Sequence, residues 1–313
     1  MSLYIIIDGG TTNTRINLVE NKKIIADINL NVGARMGIDN KNLLKAEIKK
    51  AIHKLLKQNN RNEKDVVRIL SSGMITSEFG LCNLEHIKTP AGVDELHNGM
   101  KEIVLKEIAD IPFVFIRGVK MDSQSFENTD IMRGEETEIM GLISADYGKC
   151  VYVLPGSHSK IISTDDTGKI CSFFTMLTGE MIASLSQHTI LKDSVDLNTY
   201  DINNEFLLKG YDYCKSEGIN KSLFKTRILK NVFQCNSEEL YSFFMGTVLC
   251  GEIQQIINLD AETVVIGGKS QIKVAMSVVL NARDNKKIVT LDDKIVNKST
   301  SLGAIRIFEN DTI

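Results

Sequence analysis

No stretch of this 313-residue sequence concentrates charge of one sign. The formal net charge is −3 and the pI about 6.0. That excludes the electrostatic footprint of a nucleic-acid binder or of a protein held on an anionic membrane. No apolar run is long enough to span a bilayer. The N-terminus lacks a basic region before its apolar run, and Asp8 interrupts that run early, so a signal peptide is not expected. Cys82, Cys150, Cys171, Cys214, Cys235 and Cys250 are scattered and form no CxxC pair. Free thiols in a reducing cytoplasm are the simplest reading. The five histidines make no HExxH or similar ligand pair, which argues against a structural zinc. Tryptophan is absent altogether. Against these absences stands a 43% share of hydrophobic residues, enough at this length for two domains with a core each.

The chain opens on Leu3-Tyr4-Ile5-Ile6-Ile7-Asp8-Gly9-Gly10-Thr11-Thr12-Asn13-Thr14-Arg15. An apolar run ends in an aspartate, two glycines and hydroxyl residues follow, and Arg15-Ile16-Asn17-Leu18 then alternate polar and apolar. The pattern is strand, tight turn, strand. A Rossmann or Walker loop would instead pass from its strand into a helix. The glycines let backbone approach an anion, to which turn N–H groups and hydroxyls can donate. Asp8 at the strand end is placed to hold a magnesium ion, directly or through water. An ordinary Gly-Gly hairpin, with Asp8 as a strand-end cap, fits the same residues.

A third strand over Lys23 to Leu30 completes a short meander. Leu43, Leu44, Ile48, Ile52, Leu55 and Leu56 predict a helix over Asn42 to Gln58, its lysine-rich face in solvent. A short buried strand, Val66 to Leu70, leads into the small-residue loop Ser71-Ser72-Gly73-Met74. Such loops commonly line the ligand crevice of open α/β sheets. After the turn Thr89-Pro90-Ala91-Gly92, a helical stretch from Val93 to Ile108 and a strand from Phe113 to Ile116 are expected. Asp122 to Asp130 reads as an exposed loop. Gly134 and the acids after it suit a helix start, where carboxylates meet the positive end of the helix dipole. The domain boundary is placed around Ser144 to Gly148, giving domains of 1–144 and 145–313. Cys150 to Leu154, Pro155-Gly156-Ser157-His158-Ser159-Lys160, Ile161 to Thr164 and Ile170 to Thr175 repeat the plan of the first meander. This is a duplication of plan rather than of identity. Helices follow over Gly179 to Leu191, over Asp201 to Phe233 with a break at Gly218, and over Ser237 to Leu259. A buried strand, Thr263 to Ile266, ends at Gly267-Gly268-Lys269-Ser270; helix, strand and helix complete the chain.

Phosphoryl transfer from a nucleotide needs backbone donors and a metal on the phosphates, a carboxylate on the acceptor hydroxyl, and domains that close against water. Two glycine hairpins, a C-terminal Gly-Gly loop and an acidic helix start supply parts of that kind. In this order they resemble the actin-like ATPase fold of sugar kinases, hexokinases, heat-shock ATPases and actin. Asp8 to Arg15 resembles the first phosphate motif, Leu154 to Lys160 the second, and Val264 to Ser270 the adenosine motif. Glu135 to Ile143 and Ser301 to Ile305 resemble the two connecting helices. The implied fold is α/β: two actin-like (ribonuclease H-like) domains, each a mixed sheet with flanking helices, with a cleft between them. A narrower resemblance, to the 2-dehydro-3-deoxygalactonokinase family, rests on Met132-Arg133-Gly134-Glu135-Glu136-Thr137, Pro155 to Lys160, Leu177-Thr178-Gly179-Glu180, and Ser72-Gly73-Met74 with Gly80. It runs from Asp8 to Arg306. Members of that family usually carry tryptophan at the positions of Gly9 and Ile161, so the departures fall on the substrate rather than on the fold.

The resemblance implies ATP and Mg2+ as cofactors and a 2-keto-3-deoxy sugar acid as small-molecule partner, in the cytoplasm, with a homodimer open. Asp8 would position the metal. Gly10, Thr11, Thr12 and Asn13, with Gly156, Ser157 and His158, would cradle the phosphates, and Gly267 and Gly268 would face adenosine. Glu135 or Glu136 would be the base; successive helical residues point about 100° apart, so only one is expected to face the cleft. Ser72, Gly73, Met74, Arg133 and Glu180 would line the acceptor, Arg133 pairing with its carboxylate. Each also has an ordinary structural reading: a turn, a helix first turn, a surface ion pair. Lys160 reads equally as a phosphate contact or a solvating strand residue. Two rivals remain: an actin-like ATPase that senses or regulates, and a kinase for another small sugar or acid.

Overall fold

A computed structural model describes residues 2–121, 125–199, 201–268 and 271–312. Asp122, Ser123 and Gln124 of the expected exposed loop, and Lys269 and Ser270 of the C-terminal glycine loop, lie outside the described residues. The chain divides into two units, one of Met1–Gly148 with Asp165–Ser172 and Lys294–Ile313, the other of Lys149–Thr164 with Phe173–Asp293.

The first unit opens with β1 (Leu3–Gly9), β2 (Thr14–Glu20) and β3 (Lys23–Leu30), an antiparallel meander. Helix α1 (Met36–Gln58) follows, then β4 (Arg68–Gly73), β5 (Ile87–Lys88), α2 (Val93–Asn98), β6 (Lys101–Val104), β7 (Pro112–Phe115), β8 (Val119–Lys120), β9 (Ile131–Met132) and α3 (Glu135–Leu142). The main sheet has the order β3-β2-β1-β4-β7-β6, and β5, β8 and β9 form a small second sheet. The strand β1 is buried on both faces because both are covered. Ile5 and Ile7 pack with Leu44, Ile48 and Ile52 of α1.

Three local expectations shift. Asn40 breaks α1 with non-helical torsions, and its Oδ1 accepts from Asn42 N (3.1 Å) and Leu43 N (3.2 Å). The regular amphipathic stretch therefore starts where the periodicity places it, behind a side-chain cap. The strand expected over Val66 to Leu70 runs on to Gly73, because Ser71, Ser72 and Gly73 pair in parallel with Ile7, Asp8 and Gly9. The helix expected from Val93 to Ile108 stops at Asn98. Gly99 and Met100 close its last turn onto Glu95 O and His97 O, and Lys101–Val104 leaves as an edge strand against β7.

The second unit repeats the plan. Its strands β10 (Cys150–Leu154), β11 (Ser159–Thr164) and β12 (Ile170–Met176) form a meander whose hairpin tip groups with the first unit. Helices α4 (Thr178–His188), α5 (Asn204–Glu217), α6 (Ile219–Asn231) and α7 (Ser237–Ile257) lead to β13 (Thr263–Ile266), α8 (Gln271–Arg283) and β14 (Lys287–Thr290). The sheet order is β12-β11-β10-β13-β14. As β1 lies between antiparallel β2 and parallel β4, so β10 lies between antiparallel β11 and parallel β13. Helix α7 is apolar on nearly all sides and forms the centre of this core with Leu207 and Tyr211 of α5 and Met276 and Val279 of α8. Glycines bring α5 and α7 into backbone contact: a Cβ on Gly246 would lie 2.0 Å from Leu207 O.

The last helix, α9 (Asp293–Glu309), belongs to the first unit from Lys294 onward. There Phe308 meets the Tyr4 ring edge-on at 5.8 Å, and Ser301 accepts a buried hydrogen bond from Asn17. Across α3 and α9, a Cβ on Gly303 would stand 1.8 Å from Thr137 O, which only glycine permits. Among the described residues no helix is long and apolar enough to cross a membrane.

Candidate functional site

In the first unit, strand register collects residues that are distant in sequence. Parallel pairing sets Asp8 beside Ser72 and Gly9 beside Gly73 at the C-terminal ends of β1 and β4. Asp8 is half-buried, while Thr11, Thr12 and Asn13 of the turn are exposed. Gly10 N donates to Asn13 O at 2.8 Å, closing the turn. The segment after β3 grips it: Ala34 N donates to Gly10 O (3.0 Å) and Arg35 N to Thr11 O (2.9 Å). A Cβ on Gly33 would lie 2.6 Å from Gly10 O. This clamp was not singled out in the sequence, where the only signal is the Gly33-Ala34 pair after β3. Among the described residues the buried Ser72 Oγ has no hydrogen-bond partner, an unsatisfied group at the sheet end where a ligand would be sought. Gly73, at φ +82°, turns the chain into Met74–Thr76, a short 3-10 turn in which Met74 is half-buried.

Helix α3 starts at the same place. Gly134 has φ +118°, and a Cβ there would be 3.2 Å from Gly73 Cα. The two glutamates that follow have different surroundings. Glu135 is half-buried, and its Oε2 accepts from Arg133 N at 3.0 Å. Glu136 is fully buried, Oε2 accepting from Gly134 N at 2.7 Å and Oε1 from Thr137 Oγ1 at 3.0 Å. Burial, and secondarily the Glu135 charge, pushes its carboxyl up to about 8.

Arg133 is held by the protein itself. Its guanidinium donates to Thr76 O and Thr76 Oγ1, both at 2.7 Å, and to Leu84 O at 3.0 Å, and lies 3.4 Å from His86 Nδ1. Burial, then the charges of Arg133 and Lys120, lower the His86 imidazole to about 4, so it is neutral at physiological pH. Arg133→Lys is expected to destabilise the protein by about 1–3 kcal/mol in a denaturant titration. A point-charge ammonium cannot span carbonyls that the planar fork reaches together. Unchanged stability would show those bonds to be dispensable.

In the second unit a comparable cluster forms at the ends of β10 and β13. Gly156 is half-buried, and Ser157 and His158 are exposed at the hairpin turn. Gly267 N donates to Val153 O at 2.8 Å, and Gly268, at φ +74°, lies so close that a Cβ would be 2.8 Å from Pro155 O. The start of α4 backs the turn: a Cβ on Gly179 would lie 2.3 Å from Gly156 O, and Glu180 N donates to Ser157 O at 3.2 Å. Glu180 pairs with His158 at 2.9 Å on the surface, an arrangement worth little in stability. Lys160 is buried, bonded to Thr175 Oγ1 and 5.8 Å from the centre of the Phe173 ring. Arg15 reaches Asn29 Oδ1 at 3.4 Å within the meander.

Both units thus present a glycine hairpin at the parallel end of a mixed sheet, and the second adds a glycine pair at the next strand end. This is the two-domain actin-like ATPase fold. An activator of 2-hydroxyisocaproyl-CoA dehydratase from Clostridium difficile, solved with bound ADPNP, shares it, with a TM-score of 0.51 at 12% identity over 98% of this chain and 95% of that one. The chain belongs to the 2-keto-3-deoxy-galactonokinase family, whose model matches residues 8–301. A crystal structure from Sinorhizobium meliloti, of a protein assigned as a 2-dehydro-3-deoxygalactonokinase, matches with a TM-score of 0.75 at 20% identity, over 97% of this chain and 99% of that one. A Rhizobium meliloti (strain 1021) protein with the same assignment is 30% identical over 130 residues. That alignment covers 41% of this chain and 40% of the relative's length.

Proposed function

We propose that the protein is a kinase that uses ATP and Mg2+ to phosphorylate the primary hydroxyl of a 2-keto-3-deoxy sugar acid, converting 2-dehydro-3-deoxy-D-galactonate to its 6-phosphate. The observation that carries this reading is Glu135. It opens a helix against the glycine ends of β1 and β4, one oxygen fixed by Arg133 N, and among the described residues its Oε1 makes no hydrogen bond. A carboxylate so fixed can take a proton from an acceptor hydroxyl, a part that a nucleotide sensor without an acceptor does not need. Family membership narrows the acceptor to a keto-deoxy sugar acid.

The remaining roles follow from the chemistry of each group. Gly156, Ser157 and His158 of the second unit, and Gly10, Thr11, Thr12 and Asn13 of the first, offer turn donors to the phosphates. Gly267 and Gly268 leave the β13 end open to the adenosine. Among the described residues no cluster of three or more metal-ligating side chains occurs. Magnesium in phosphoryl transfer needs only one or two carboxylates, with phosphate and water completing its shell. Asp8 fits as that carboxylate, and the ion would offset phosphate charge. Ser72, with its unpartnered hydroxyl, Gly73 and Met74 would line the acceptor, while Arg133 acts by holding the Thr76–Leu84 segment beneath them. Glu180 would bear on the phosphate turn through His158. As the acceptor oxygen bonds to the γ-phosphorus, the bond to the ADP oxygen breaks and Glu135 receives the hydroxyl proton. The free thiols of all six cysteines support a reducing, cytoplasmic setting.

The test is ADP release by purified protein with ATP, Mg2+ and a panel of 2-keto-3-deoxy acids and parent sugars. Turnover should require one keto-deoxy acid and be near zero without acceptor. Equal ATP hydrolysis without acceptor would replace this reading by the sensor or regulator. Turnover with a different sugar would keep the kinase and change its substrate.

A further inference from the structure

Beneath the second-unit hairpin lies a carboxyl group that none of these roles uses. Glu252, on the central helix α7, is 1% exposed. Thr178 Oγ1, from the first residue of α4, donates to its Oε2. The other carboxyl oxygen, Oε1, and the Ser159 hydroxyl at the first residue of β11 are both buried and, among the described residues, make no hydrogen bond. These two residues bracket the phosphate turn. Ser159 directly follows His158, and Thr178 directly precedes Gly179, whose backbone rests on Gly156. Leu249, Ile253 and Ile256 around it on α7 are apolar and buried, so a hydrocarbon side chain would fill the site at lower desolvation cost.

We infer that Glu252 is a positioning residue for nucleotide binding: its carboxyl anchors the start of α4 through Thr178, and α4 in turn holds the 155–158 turn through the close approach of Gly179 to Gly156 O and the Glu180 N bond to Ser157 O. This rests on the kinase reading of that turn. Burial pushes the carboxyl up to about 7, with the Thr178 hydrogen bond pulling the other way. Near neutral pH the protonated acid is therefore well populated, and a glutamine can stand in for it. The function of the group is geometric, not ionic.

The test is ADP–Mg2+ binding by calorimetry without acceptor, together with steady-state kinetics, on wild type, Glu252→Gln, Glu252→Ala and Thr178→Val. Thr178→Val keeps the shape of the threonine and removes only its donor, so it informs even where the alanine variant fails to fold. Expected results are a Kd and an ATP KM raised about 5- to 10-fold in Thr178→Val and Glu252→Ala, with kcat at saturating ATP within about threefold. Glu252→Gln should bind within about threefold of wild type. Wild-type affinity in Thr178→Val would overturn the inference, as would a glutamine variant as weak as the alanine one. Failure of the wild type itself to bind ADP would remove both the inference and the kinase reading. Binding without turnover on any acceptor would remove only the acceptor assignment.

Discussion

Glu135→Gln is expected to lower kcat by about 10²- to 10⁴-fold, the range lost with a general base, while KM for both substrates stays within about threefold. The amide oxygen of glutamine can still accept from Arg133 N, so the start of α3 keeps its geometry and the thermal melting curve should hardly move. What is lost is the basic oxygen. Steady-state ADP release with the preferred acceptor, read beside a melting curve, checks this. A kcat within about tenfold of wild type in a well-folded variant would remove Glu135 as the base. The same substitution has a second consequence. The Glu135 charge helps to hold the neighbouring Glu136 carboxyl protonated, so the glutamine variant should titrate Glu136 at a lower pH.

The choice between the two glutamates shows where sequence stops being informative. Both stand in the first turn of a helix, and either satisfies the dipole argument. What separates them is that Glu136 bonds Gly134 N and Thr137 Oγ1 with no exposed surface, whereas Glu135, among the described residues, bonds only Arg133 N and is half-buried. That depends on the left-handed φ of Gly134 and on its packing against Gly73, a residue 61 positions earlier in the chain. Arg133 is similar. A bidentate carboxylate partner can be read into any arginine, but the carbonyls that hold this one lie 57 and 49 residues away. The fold was more legible because both meanders are local. Alternating or continuous apolar runs end at glycine turns, and the repeated meander follows from them; the parallel pairing of β4 with β1 and of β13 with β10 joins strands far apart in sequence and was not legible there. The edge strand Lys101–Val104 was not legible. It is largely exposed and takes its conformation from pairing with Phe115 to Pro112, so its own periodicity says little. The grouping of α9 with the first unit is equally a matter of tertiary contact, carried by Phe308 on Tyr4 and Ser301 on Asn17.

Glu136→Gln should change how stability responds to pH more than it changes activity at neutral pH. In the native protein this carboxyl keeps its proton up to about pH 8, whereas the ordinary glutamate value is 4.5. Between those values unfolding releases a proton, so stability falls as pH rises, by up to about 1.4 kcal/mol per pH unit. The loss begins near pH 4.5 and is complete once pH exceeds the native value. A glutamine has no proton to release and can make both local hydrogen bonds, its oxygen accepting from Gly134 N and its amide donating to Thr137 Oγ1. The variant should therefore match wild type near pH 5 and exceed it by several kcal/mol near pH 8. Urea titrations of both proteins at pH 5, 6.5 and 8 measure this, and a difference that stays constant with pH would show that Glu136 is ionised throughout. The functional reason for burying such a group lies in its bonds. A protonated glutamate costs far less to bury than a charged one, and it pins the Gly134 N–H from which Glu135 springs. The two neighbours differ in the same terms: both oxygens of Glu136 are bonded within the turn, whereas Glu135 has one oxygen on Arg133 N and, among the described residues, no hydrogen bond to the other.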